Sequence, residues 1–177
     1  MRITVSGPPG SGKTTIVNHL AEKLNYKIIS AGEAFRELAN QYKMSLLEFS
    51  DYAEKHPEID IALDKKITIL ASNEDNVIVD GRLSGWLTYK NNIPAYRIYI
   101  NAPLKTRAER VASRENKSVE VVEKEIQARE RSENSRYYRF YQIDMNRVSI
   151  YDLVIDSSNK TPEEIVLEIL KKLSKHE

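Results

Sequence analysis

Hydrophobic positions follow two rhythms along this chain, and the changes between them place most of its elements. Short runs rich in β-branched residues, Arg2 to Val5, Lys27 to Ser30, Val77 to Asp80, Tyr96 to Ile100 and Leu153 to Asp156, predict five strands buried on both faces. Between them apolar residues recur every three or four positions. Ile16, Val17, Leu20, Ala21 and Leu24 form one such stripe, and the period is that of an amphipathic helix. Strands alternating with helices predict an α/β fold in which a parallel five-stranded sheet is flanked by helices in three layers.

Capping signals sharpen the helix boundaries. Thr161-Pro162-Glu163-Glu164 supplies an N-cap, a proline at the first helical position and a reciprocal glutamate, and Ile165, Val166, Ile169, Leu170 and Leu173 follow on one face. Between the second and third strands the pattern predicts several helices rather than one crossover. Phe35, Leu38, Ala39 and Tyr42 form the buried stripe of the first, Ser45-Leu46-Leu47-Glu48 is a capping box for the second, and the third begins near His56-Pro57-Glu58. From Arg114 to Asn146 the chain is dense in charge and tyrosine and lacks core character.

The sharpest chemical signal lies between the first strand and the first helix. Gly7-Pro8-Pro9-Gly10-Ser11-Gly12-Lys13-Thr14 fits G-x-x-x-x-G-K-[ST] in the strand–loop–helix setting that this motif requires. Glycines let successive backbone N–H groups converge on phosphate oxygens, and the helix start adds its dipole. Lys13 brings a mobile positive charge, and the Thr14 hydroxyl suits a Mg²⁺ ion. With Thr15, these residues form the expected ATP-binding stretch.

Arginines supply a second signal. On a helix starting near Ser118, the face carrying Val119, Val122 and Ile126 continues as Arg129, Glu133 and Arg136, so a core-facing surface turns ionic. An unpaired buried charge costs several kcal/mol, which points that face toward a charged ligand. The helix after the fourth strand has an apolar stripe of Leu104, Ala108 and Val111 and a cationic one of Arg107, Arg110 and Arg114. Three cations in line favour a nearby anion. At the end of the third strand, Asp80-Gly81-Arg82 sets a carboxylate and a guanidinium at the sheet edge where open α/β folds bind ligands. Asp80 could hold a Mg²⁺-bound water opposite Thr14. Ser30 and Arg36 follow the second strand at the same edge, with Arg36 pointing off the core.

Composition narrows the rest. A chain of 177 residues with 41% apolar content can bury one sizeable core, so a single domain is expected. The net charge of +1 argues against a protein that coats polyanions, and no stable nucleic-acid partner is expected. Cysteine is absent and the three histidines are scattered, which leaves no thiolate or histidine metal site. No run is long enough to span a membrane, and a strand begins at once at the N-terminus. A cytoplasmic, monomeric protein is the expectation.

Together these segments resemble the nucleoside monophosphate kinases, and within them the compact archaeal type of cytidylate kinase. The resemblance spans nearly the whole chain. It rests on the P-loop, Ser30-Ala31-Gly32 leading to Arg36, Asp80-Gly81-Arg82-Leu83-Ser84-Gly85-Trp86, Arg107-Ala108-Glu109-Arg110, Arg129-Glu130 with Arg136, and Tyr151 to Asp156. It implies a P-loop NTPase fold with a core of residues 1–30, 73–113 and 138–177, a monophosphate-binding flap at 31–72 and a lid at 114–137. It also implies transfer of the γ-phosphoryl of ATP to CMP and dCMP, with Mg²⁺. Lys13, Arg107, Arg110, Arg129 and Arg136 would serve the transferred group. Ser30, Gly32, Arg36, Asp80, Gly81 and Arg82 would line the acceptor site with Arg129, Glu133 and Arg136. Arg36 and Arg82 would hold the acceptor phosphate, Ser30 would approach the base, and Glu133 would accept from the cytosine amine, with Asp60 and Asp64 behind it. Bacterial members carry aspartate where Glu133 stands and a longer flap, so base recognition does not transfer directly. Two alternatives are a kinase of this architecture acting on AMP, UMP or a small metabolite, and a non-catalytic nucleotide switch or ATPase.

Overall fold

The computed structural model describes residues 1–176. Its sheet contains five parallel strands, β1 (Arg2–Ser6), β2 (Lys27–Ser30), β3 (Val77–Asp80), β4 (Tyr96–Asn101) and β5 (Leu153–Asp156), in the order β2-β3-β1-β4-β5. Eight helices accompany it: α1 (Lys13–Leu24), α2 (Ala31–Gln41), α3 (Leu46–Lys55), α4 (Pro57–Asn73), α5 (Ser84–Lys90), α6 (Leu104–Glu115), α7 (Val119–Tyr141) and α8 (Pro162–Leu173). Among the described residues no helix is long and apolar enough to cross a membrane.

Strand alternation divides the sheet's contacts between two faces. Ile3, Val5, Ile78, Ile98, Ile100 and Ile155 join Ile16, Val17 and Leu20 of α1 and Ile165, Val166 and Ile169 of α8 in the main core. On the other face Val77 and Val79 pack with Ile67 and Ala71 of α4, while Ser6 meets Ser84 of α5 through their hydroxyls at 3.0 Å. The capping boxes at Ser45 and Thr161 form as read. Parallel pairing brings every strand's carboxyl end to one edge. The chain crosses from one side of β1 to the other there, which is where such sheets bind ligands.

Three local expectations change. Only β1 and β3 are buried on both faces, and the second face of β4 is half-buried. Lys27 and Ile28 of β2 and Val154 of β5 are exposed because these strands form the sheet's edges. Tyr42 lies outside the buried stripe of α2 and packs at the rim against Phe49 and Tyr52. The Arg114 to Asn146 stretch does contribute to the core. Tyr137, Ile143 and Met145 close over Leu83, Trp86 and Leu87, the last two being part of α5, a short buried helix that the periodicity does not reveal. The helix α7 passes residue 137 without a break and continues to Tyr141.

Candidate active site

Local backbone chemistry builds the phosphate cradle. A Cβ at Gly7 would collide with the Ile100 carbonyl, and Gly10 has φ of 79° with Arg107 backbone 2.8 Å from where a Cβ would sit. Neither position admits a side chain without moving β4 or α6. The first turn of α1 has neither a side-chain cap nor an acidic residue, whereas α2, α3, α7 and α8 are capped by Ser30, Ser45, Ser118 and Thr161. Its N–H groups therefore lack side-chain acceptors and suit an anion. Pro8 and Ser11 are buried in the loop, Pro9, Gly12 and Lys13 are half-buried, and Thr14 and Thr15 are exposed. Burial lowers the Lys13 pKa to about 8; Arg82 and Arg129 act in the same direction, and Asp80 and Glu133 oppose them.

Arg107 and Arg110, expected at the transferred phosphate, hold the loop in this structure. The buried Arg107 donates through Nε to Ala102 O at 2.9 Å and through Nη1 to Pro9 O at 3.2 Å and Glu130 Oε1 at 2.7 Å. Nη1 of Arg110 reaches the carbonyls of Gly10 and Ser11 and the Ser157 hydroxyl, and its Nη2 donates to Ser157 O at 2.6 Å. Carbonyl oxygens on the loop, together with Glu130, provide the negative partners that the cationic stripe requires. Arg114 is exposed at the end of α6.

At the carboxyl edge of β3 the remaining charges interlock. Glu133 is buried, with Oε2 2.6 Å from Arg82 Nε and Oε1 3.0 Å from Arg129 Nε. Burial works against its charge, but the arginines outweigh it and hold the carboxyl below the ordinary range. Both acceptor atoms expected to face the base are thus committed to guanidinium groups. Arg136, only 2% exposed, donates from Nε to Asp60 Oδ2 at 2.7 Å and from Nη1 to Ser132 Oγ at 2.6 Å. The first of these bonds ties α7 to α4. Glu54 of α3 adds to the tie by accepting from Ser132 Oγ at 3.2 Å.

Asp80 ends β3 level with Val5 and Ser30, and Gly81 N–H bonds Val5 O at 3.2 Å. Burial raises the Asp80 pKa against the pull of Lys13 and Arg36. Arg36 itself is exposed on α2. Ser30 is the N-cap of α2, its Oγ accepting from Glu33 N–H at 3.2 Å, and Gly32 lies in the first turn of that helix with room around it. The structure therefore brings Lys13, Asp80, Arg82, Arg129, Glu133 and Arg136 together beyond the carboxyl edge of the sheet, with Arg36 close enough to act on Asp80. Asp64 was named in the sequence only as a residue behind Glu133. Its partner Tyr141, whose hydroxyl donates to Asp64 Oδ2 at 2.7 Å, had no distinguishing local signal beyond a tyrosine-rich helix end.

This arrangement has clear relatives. A cytidylate kinase of Archaeoglobus fulgidus is 46% identical over 171 residues, covering 97% of this chain and 93% of that protein. A cytidylate kinase of Methanocaldococcus jannaschii is 47% identical over 159 residues, 89% of each chain. Among solved structures, an uncharacterized protein from Eubacterium ventriosum superposes with a TM-score of 0.72 at 17% identity over 98% of both chains. The shikimate kinase of Acinetobacter baumannii gives 0.64 at 16% identity, over 99% of this chain and 94% of that one. These structural likenesses establish the three-layer α/β fold. The sequence description of the cytidylate kinase-like family matches residues 2–159. With the family match and these relatives in agreement, this chain belongs to the cytidylate kinase-like family.

Proposed function

We propose that the protein transfers the γ-phosphoryl group of ATP to CMP and dCMP. The observation that carries this reading is the convergence of Lys13, Arg82, Arg129 and Arg136 on the sheet edge beside an open P-loop, in a chain with cytidylate kinase relatives. Phosphoryl transfer asks little of acids and bases. Charge spreads over the moving group, so alignment and positive charge do the work. The P-loop amides and Lys13 take the donor phosphates, and Arg36 and Arg82 grip the acceptor phosphate. Arg129 and Arg136 exchange their carboxylate partners for phosphate oxygens as the substrates enter. Arg107 and Arg110 act through the loop they hold. An acceptor phosphate oxygen is already nucleophilic at neutral pH, so no general base is assigned.

The Mg²⁺ implied by this chemistry fits the residues present. Thr14 offers an exposed hydroxyl, Asp80 is a carboxylate with no hydrogen-bonded cation, and no acidic or histidine cluster of three exists among the described residues. Such a sparse set suits an ion that keeps its waters and leans on substrate phosphates. Thr14 and Asp80 would hold it, and it would neutralise charge between donor and acceptor. Residues 114–137, together with the flap at 31–72, would close over both nucleotides and exclude water.

A coupled assay of ADP formation with ATP against CMP, dCMP, UMP and AMP tests the proposal. CMP and dCMP should give the highest kcat/KM. ADP formation independent of acceptor, or a clear lead for AMP or UMP, would overturn it.

A further inference from the structure

Five carboxylates, Asp60, Asp64, Asp80, Glu130 and Glu133, stand at this site, and cations act on each. Asp80 feels Lys13 and Arg36, Glu133 bridges Arg82 and Arg129, and Asp60 holds Arg136. Asp64, one turn beyond Asp60 on α4, makes no ion pair among the described residues. Its Oδ2 accepts only the Tyr141 hydroxyl, and no hydrogen bond engages its Oδ1. Asp64 therefore keeps one acceptor atom unengaged, and Arg136 acts on it without a direct ion pair.

Its position also matters. Lys13 is influenced by Arg82, Arg129 and Glu133, Asp60 by Arg136 and Glu133, and Asp64 by Tyr141, Asp60 and Arg136. The charges form a row that starts at the P-loop and ends at Asp64. From Glu133 to Tyr141 the row follows just over two turns of α7, about 12 Å of helix rise. That is the scale of a nucleotide from its phosphate to the far edge of its base. A phosphate among the arginines would therefore direct its base toward Asp64 and Tyr141.

We propose that Asp64, oriented by the Tyr141 hydroxyl, distinguishes cytosine from uracil in the acceptor by accepting a hydrogen bond from the exocyclic amine. The inference rests on the CMP kinase reading. Cytosine presents an amine donor where uracil presents a carbonyl oxygen, and a carboxylate facing that oxygen would leave two acceptors opposed in a site with little water. Burial raises the Asp64 pKa to about 7 against the pull of the Tyr141 hydrogen bond and of Arg136, and a donor amine would relieve that cost. A bare tether between α4 and α7 would need the Tyr141 bond but would have no influence on which pyrimidine reacts.

The test compares kcat/KM for CMP and UMP in the parent protein and in Asp64→Asn. Asparagine can donate to the uracil carbonyl and accept from its N3–H, so the CMP/UMP ratio should fall about 100-fold, with UMP improving in absolute terms. A ratio unchanged within about threefold, both substrates declining together, would reduce Asp64 to a tether. If Asp64→Asn yields no folded protein, Tyr141→Phe carries the test, since loss of the orienting hydroxyl should lower the ratio about fivefold and an unchanged ratio overturns the proposal. A third arm uses the parent with the 2-pyrimidinone ribonucleotide, which lacks only the amine. Turnover as efficient as with CMP would also defeat the inference. A parent with no preference for CMP over UMP would defeat the acceptor assignment itself, whereas a preference that survives Asp64→Asn defeats only the role of Asp64.

Discussion

Removing the charge of Glu133 while keeping its shape should expose how the cleft is held before substrate arrives. Glu133 lies 2.6 Å from Arg82 Nε and 3.0 Å from Arg129 Nε, with side-chain exposures of 6% for the glutamate, 12% for Arg82 and 30% for Arg129. In Glu133→Gln, Arg129 can turn to water, but Arg82 loses its ion-pair partner where little water reaches. Breaking a buried pair by removing one member costs about 3–5 kcal/mol, and the remaining amide oxygen can serve one arginine, so about 3 kcal/mol is expected. In a chain of this size that is a fall in Tm of roughly 6–12 °C. Inorganic phosphate supplies the missing negative charge, so it should raise Tm more in the variant than in the parent. Calorimetry of both proteins with and without phosphate reads both effects. A variant with parental Tm, or one that gains no more from phosphate than the parent does, would refute the view that Glu133 stands in for a bound anion.

Three further outcomes follow from the same geometry. Arg36→Ala should raise the KM for CMP at least about tenfold and change stability by less than about 0.5 kcal/mol, because Arg36 is exposed; an unchanged KM in the coupled assay would remove it from the acceptor site. Arg110→Ala should raise the KM for ATP while leaving that for CMP near parental, since Arg110 braces Gly10, Ser11 and Ser157 rather than the acceptor side; equal effects on both substrates in initial-rate kinetics would contradict that role. Lys13, with its pKa lowered to about 8, is charged below that pH and neutral above it. The kcat/KM for ATP should therefore decline as pH rises through about 8, and a profile flat to about pH 10 would show that the lysine charge is not needed to capture the donor.

Much of this protein could be read locally. Five strands, the P-loop, two capping boxes and the ionic face of α7 depend on residues within a few positions of one another, where backbone sterics, capping and side-chain periodicity act. The residues of the cleft were legible for the same reason: Arg129, Glu133 and Arg136 stand where the helical period calls for apolar side chains. Their pairing was not. Arg82 meets Glu133 across 51 residues and Arg136 meets Asp60 across 76, so their partners depend on how helices dock. Arg107 and Arg110 illustrate the same point. Their spacing marks a cationic stripe, but only the approach of α6 to the P-loop shows that carbonyl oxygens neutralise it.

The sequence by itself determined the strands, the phosphate-gripping turn and the set of charged side chains available for chemistry. Only the tertiary structure decided which strands became exposed edges, that Glu133 would be consumed by two arginines, and that Asp64 would be left with a single neutral hydrogen bond. The physical reason is that local propensities act through neighbouring atoms, whereas burial, strand order and ion pairing depend on which distant segments exclude water from one another.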